Sequence, residues 1–343
     1  MDQAFKIEEV KNLRGYAVEW ANSDELIVSR RNVIYKFSIP NGQIKKIVSV
    51  KAPLWKELFS RTRIFQRLLR FMITNVVCLK NGDFFVTFDK SVGIIRNETY
   101  FEIPLERPCR VLRSACALDE QENIFFGEYL SNPSRESVRI YRYSPREDSI
   151  EVVYDFPSGS IRHVHGIYFD DFSGRMFCLT GDKAEECRIL SFSSDFRDFD
   201  VIGEGDETWR AVSIVFDKDA FYYGTDAEFR KNYIYKVERS TGEREVLCEV
   251  DGTVYYSKRL GEWIFFTTTA ENAPSQKENV ASIWGINTQT NECKKLLTFR
   301  KDFWNGTLFM FGTIHFPFSI KRELYFHLVA LRGDGKTFKV VLQ

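Results

Sequence analysis

Only four histidines occur in the chain, and two of them, His163 and His165, flank a single valine directly after Arg162. On a strand, alternation sends both imidazoles to one face, where they can act as bases or supply two nitrogen ligands to a metal. A third, His315, lies in another short apolar run, Thr-Ile-His-Phe. Arginine recurs at Arg14, Arg113, Arg162 and Arg210, each just ahead of an apolar run. Glu128, Asp182 and Asp226 each close a second, aromatic-rich run. Guanidinium grips a planar carboxylate through paired hydrogen bonds, and Trp209, Tyr255 and Tyr256 offer flat faces on which a ligand ring can stack. Arg14, Arg113, Arg162, Arg210, Trp209, Tyr255, Tyr256 and His315 are therefore the expected substrate contacts, with His163, His165, Glu128, Asp182 and Asp226 as the acid–base groups. The site is expected to need no cofactor, because His-x-His spacing is common by chance. A divalent metal completed by Asp182 or Glu128 is the alternative. The competing structural reading makes the arginines and acids ion pairs that tie neighbouring units together.

What positions these residues is a repeat. Arg113, Arg162 and Arg210 lie 49 and 48 residues apart, and Arg14 precedes Arg113 by 99, about two periods. Weaker copies occur around Asn75 to Asp89, from Thr253 and from Gly312. Each unit reads as four short strands rich in Ile, Val, Tyr and Phe, separated by Asn, Ser, Gly and Asp turns. Seven such units predict an all-β, seven-bladed β-propeller filling residues 1–343 as one domain. The last unit has three strands, ending in FKVVLQ, so the N-terminal AFKIEEV is expected to supply its fourth, close the ring and remove two open edges. The start of each inner strand and the end of the second strand then open on one face. The arginines and acids meet there at the channel mouth, under the longer polar loops.

Residues 51–72, KAPLWKELFSRTRIFQRLLRFM, break the repeat. Leu54, Leu58, Phe65, Leu68, Leu69 and Met72 recur at helical spacing among six basic residues, which predicts one amphipathic helix inserted between the first two blades. Two expectations follow: a lid with its apolar stripe buried and its charges solvated, or a docking helix with Trp55, Phe59, Phe65 and Leu69 partly exposed. The docking helix would meet an anionic membrane surface or a protein partner.

Composition narrows the classes. Lys+Arg and Asp+Glu both number 48, so no global basic field is available to hold a nucleic acid, and none is expected as partner. No GxSxG elbow, HExxH helix, phosphate-binding loop or dinucleotide fingerprint occurs in its required context. The absence of a long apolar run, together with seven cysteines lacking CxxC spacing, several of them in apolar runs (Cys78, Cys116, Cys178, Cys248), predicts a cytoplasmic protein with free thiols, membrane-peripheral where the 51–72 insertion docks.

At RHVHGIYFDDFSGRMFCLTGD (162–182), WRAVSIVFDKDAFYYGTD (209–226) and NYIYKVERSTGE (232–243), the chain resembles prokaryotic propellers labelled sialidase-like or BNR-repeat glycosyl hydrolase-like, over most of residues 110–343. The Asp-box turn of such repeats is reduced here to Asp334-Gly335-Lys336-Thr337-Phe338, and no catalytic Tyr/Glu pair aligns. The resemblance implies a glycan-related propeller, while hydrolysis does not follow from fold. The expected function is binding of an acidic oligosaccharide of uronic or sialic type at the channel mouth, with cleavage by a glycoside hydrolase or polysaccharide lyase mechanism. The alternative is a non-catalytic scaffold that holds a glycan or protein partner in surface-polysaccharide assembly.

Overall fold

The protein, described here by a computed structural model covering residues 5–342, is a ring of seven four-stranded antiparallel sheets. Six blades are contiguous in sequence, at 17–49, 73–103, 116–156, 164–204, 211–250 and 254–300. The seventh combines Thr313–His315, Leu324–Val329 and Thr337–Leu342 with the N-terminal strand Phe5–Glu9. That strand runs antiparallel to the last one, with Phe5 opposite Leu342 and Glu9 opposite Phe338. The predicted closure is thus observed; Ala4 and Gln343, the outermost residues assigned to it, lie outside the described residues.

The radial pattern of burial explains why the strands alternate as they do. Second strands such as Ala220–Thr225, Trp263–Thr268 and Leu324–Val329 are buried at every position, because neighbouring blades cover both their faces. Outer strands such as Arg244–Val250 are half-buried or exposed at all but their last position. Apolar side chains accordingly gather in seven clusters, one at each blade boundary. The seventh brings Tyr325 of the last blade against Leu13, Val18 and Phe37 beside the first.

Two expectations are corrected. Residues 51–72 form two short helices, α1 (Leu54–Phe59) and α2 (Arg63–Leu68), not one. The break falls where Ser60 turns inward and bonds Arg31. A third short helix, α3 (Gly306–Phe309), precedes the seventh blade. The thiols are not all free either: Cys248 and Cys293 are joined, because the outer strands of blades five and six run side by side and bring their Cα atoms to 6.3 Å. Cys78, Cys109, Cys116, Cys178 and Cys187 remain thiols.

Candidate functional site

Asp182 is the hub of the polar cluster at the channel mouth. It follows the second strand of blade four and adopts φ +101°, a conformation that strains any residue with a Cβ. That backbone turns its carboxylate inward, where Oδ2 accepts a 2.7 Å hydrogen bond from Arg162. Its Oδ1 lies 3.5 Å from His163 Nε2, 3.6 Å from His165 Nε2 and 3.4 Å from Arg210 Nη2. Gly181 makes the approach possible, since a Cβ there would stand 2.6 Å from His165 Cε1.

The two imidazoles face the carboxylate through their Nε2 atoms. His163 Nδ1 lies 2.8 Å from the Leu130 carbonyl and His165 Nδ1 lies 3.0 Å from the Ala211 carbonyl. A carbonyl oxygen only accepts, so both Nδ1 atoms carry the proton. Burial, reinforced by the charge of Arg210, pushes His165 below its ordinary value and keeps it neutral. Its Nε2 then presents a lone pair to Asp182. His163 Nε2 is buried with no hydrogen-bond partner. A neutral nitrogen's lone pair aimed at a carboxylate oxygen repels it unless positive charge lies between them. The Nε2 and carboxylate atoms all lie within 4.8 Å of one another, and Nδ1–H held by a carbonyl is the usual support of a metal-ligating histidine. His163, His165 and Asp182 are the residues suited to hold a metal.

Around this hub lies a cleft of about 740 Å³, lined by Lys90, Arg110, Arg162, Lys183 and Arg210 among others, with Tyr129 over His163 at 4.1 Å between ring centroids. Through Arg110 and Tyr129 it continues into a second cleft of about 420 Å³ that reaches Arg70, Tyr255, Tyr256 and His315. The rim is basic. A cleft of about 600 Å³ at the outer edges of blades two and three is different, because its polar groups Arg96, Tyr143 and Asp148 bond one another.

Asp226 sits beside Arg210, 3.1 Å from its Nε. Burial pushes its carboxyl up to about 8, opposed by Arg210 and assisted by Glu271 and Asp182. In the unfolded chain the group ionises near the ordinary value of about 4. Between the two values the folded state holds a proton that the unfolded state has lost, so stability falls as pH rises through that window and levels off above it. Asp226→Asn lacks this slope. Its melting temperature is therefore expected to gain on the wild type from pH 5 to pH 8, and an equal difference at both pH values would show Asp226 ionised throughout.

Several predicted residues are placed elsewhere. Glu128 is fully buried and turned away from the mouth, accepting hydrogen bonds from Arg107, Tyr141 and the Arg139 amide. Arg113, expected to face the mouth as an anion contact, spends its guanidinium on buried Glu19 at 2.7 and 3.1 Å and on the Ile73 carbonyl at 2.9 Å. Arg14 is exposed after the turn Lys11–Leu13 and is not among the residues lining either cleft. Trp209 is covered by Tyr223, Gly203 and the Arg244 guanidinium, 3.9 Å from its ring centre, so no stacking face is open. Tyr256 meets His315 edge-on at 5.2 Å, and burial holds His315 neutral, far below its ordinary value.

Sequence reasoning missed Glu271, which binds Tyr255 at 3.0 Å as well as Thr253 and Thr269. It leaves the second strand of blade six as Asp182 and Asp226 leave theirs, but Thr269 and Ala270 intervene and hide the match. Tyr129 and Arg110 were legible as neighbours of Glu128 and Arg113.

No family model matches the chain, and no curated protein is similar to it in sequence. Solved structures are similar in shape. An oligogalacturonate lyase in complex with manganese superimposes with a TM-score of 0.60 at 9% identity, over 99% of this chain and 91% of its own. The oligogalacturonate lyase of Vibrio parahaemolyticus gives 0.60 at 11%, over 100% and 95%. The extracellular domain of a putative one-component system from B. thetaiotaomicron gives 0.61 at 10%, over 98% of this chain and 40% of that one. At such identities the likeness is one of fold.

Proposed function

We propose that this propeller binds an acidic oligosaccharide of uronate type at the channel mouth, beside a divalent cation held by His163, His165 and Asp182. The observation that carries the reading is the convergence of two buried histidine Nε2 atoms on one carboxylate at the floor of a basic cleft. A divalent cation supplies Lewis acidity there, offsetting the charge of the sugar carboxylate. Arg110, Arg162 and Arg210 orient that carboxylate through charge-assisted hydrogen bonds. The fold shared with oligogalacturonate lyases and the resemblance to sialidase-like repeats both support a carbohydrate ligand.

For cleavage, the arrangement favours β-elimination over hydrolysis. Hydrolysis requires two free carboxyl groups flanking the bond, whereas Glu128 and Asp182 are both engaged. In elimination, the carbon–hydrogen bond beside the carboxylate and the glycosidic carbon–oxygen bond break while a carbon–carbon double bond forms. Tyr255 takes the carbon's proton as its own passes to Glu271, and the leaving oxygen takes its proton from water in the cleft.

Calorimetry with manganese should show one site in the wild type and none in His163→Ala with His165→Ala. Metal-loaded Arg162→Ala should bind oligogalacturonate about ten-fold or more weakly, the loss of one charge-assisted contact. An unsaturated product, followed by its ultraviolet absorbance, marks elimination. Binding without product favours the second reading, a non-catalytic glycan module, which rests on Asp182 being already paired with Arg162 and Arg210. Failure of the loaded wild type to bind any acidic oligosaccharide overturns both.

A further inference from the structure

The insertion at 51–72 is amphipathic with its faces reversed. Four of its seven charged side chains point into the propeller: Lys56 reaches Asp89 at 2.6 Å, Arg63 holds Asp334 of the degenerate Asp-box turn at 2.8 and 2.9 Å, Glu57 accepts from Asn32 at 3.0 Å, and Arg67 is the fourth. Arg67, only 3% exposed, bonds Asp302 at 2.5 Å and the Phe309 carbonyl at 2.8 Å. Most of its large apolar side chains point out, while Phe71 is buried and Leu69 packs beside it. Leu54 is 83% exposed, and Trp55, Leu58 and Phe59 beside it are each more than half exposed, as is Leu308 on α3; Phe65 and Leu68 of α2 are exposed as well. Arg67 thereby clamps α2 against the 302–311 segment, whose Phe303 is 87% exposed next to Trp304. Burying ion pairs while leaving aromatic and leucine side chains in water is unfavourable on both counts, and an arrangement of this kind is stable in use only where something covers the apolar side.

We infer that this tip is a docking surface for an anionic lipid bilayer. Charge selects the occupant. Within residues 51–72 and 300–311, the exposed charged side chains are Lys51, Arg61, Arg70 and Arg300, all basic, while Glu57 and Asp302 are turned inward and bonded. A second copy of the chain would bring the same positive charges face to face. Trp and Phe with Leu, ringed by Lys and Arg, match the interfacial zone of a membrane, where aromatic rings sit at headgroup depth and basic groups meet anionic lipid. Among the described residues no helix is long and apolar enough to cross a membrane. The same two segments line the second cleft through Arg70, Met72, Met310 and Phe311, so docking sets the channel mouth beside the bilayer.

Sedimentation with vesicles tests this without sugar or metal, so its failure leaves the proposed ligand untouched. The full-length protein should pellet with vesicles of equal parts phosphatidylcholine and phosphatidylglycerol at low salt. It should pellet about ten-fold less with phosphatidylcholine alone, and less again as salt rises. Trp55→Ser with Phe59→Ser and Phe303→Ser changes only exposed side chains, so it should melt like the wild type and lose the pelleting. Lys51→Glu with Arg61→Glu should lose it too. A wild type that stays in solution with the anionic vesicles overturns the inference, as does a triple serine variant that pellets equally. Concentration-dependent dimerisation in place of pelleting assigns the tip to a second copy and overturns it as well.

Discussion

Arg113→Ala should lose about 3–5 kcal/mol of stability, because it leaves the Glu19 carboxylate buried without its counter-ion. Glu19 is 1% exposed and Arg113 6%, and the pair joins residues 94 positions apart, with Ser29 also donating to Glu19 at 2.5 Å. Since Arg113 also holds the Ile73 carbonyl, one side chain connects the first, second and third blades. For a chain this long the loss corresponds to a melting temperature lower by roughly 4–7 °C. Arg113→Met combined with Glu19→Gln removes both charges while leaving Ser29 an acceptor, and should melt closer to the wild type than Arg113→Ala does. If Arg113→Ala melts like the wild type, the pair is not a clamp, and the guanidinium is free for a ligand after all.

Removing residues 1–10 should be comparably severe. The strand Phe5–Glu9 pairs along its whole length with the last strand, and Phe5 packs edge-on against Trp263 and Phe265 at 4.7 and 5.5 Å. Phe5 and Ile7 join the cluster between blades six and seven, and Glu9 pairs with Lys336 at 2.9 Å. Losing the packing of two half-buried apolar side chains costs about 2–3 kcal/mol, roughly half of what full burial of both would give, before any hydrogen bond is counted. The truncation also bares Thr337–Leu342 as an open edge, ready to pair with another chain. Chemical denaturation should show a lower midpoint, and light scattering should show association that grows with concentration. An unchanged midpoint would mean that the seventh blade is held by its three C-terminal strands alone.

Much of the architecture was legible in the sequence. Period-two alternation, turn residues at regular intervals and a three-stranded final unit are properties of neighbouring residues, and they lead to seven blades and the closing strand without knowledge of any partner. The placement of His163, His165, Asp182, Arg162 and Arg210 on one face follows from the same local geometry, because equivalent positions of a repeat return to equivalent places around the ring. The pairing of those residues was not legible. Nothing near Arg113 in sequence announces Glu19, and nothing near Glu128 except Arg107 indicates that its carboxylate turns away from the mouth. Two extra residues were enough to conceal Glu271.

By itself, the sequence determined which segments are strands, how many blades they make and which polar types come to the channel mouth, since these depend on local periodicity and on the need to satisfy sheet edges. Only the tertiary structure decided which charges are spent on one another. A buried ion must find its partner through space, and that partner comes from another blade or another loop. The insertion shows this most directly: read alone, its apolar stripe belongs inside and its arginines outside, yet Asp302 and Asp334, more than 230 residues further along the chain, draw Arg67 and Arg63 inward and leave Leu54, Leu58, Phe65 and Leu68 of the stripe at the surface.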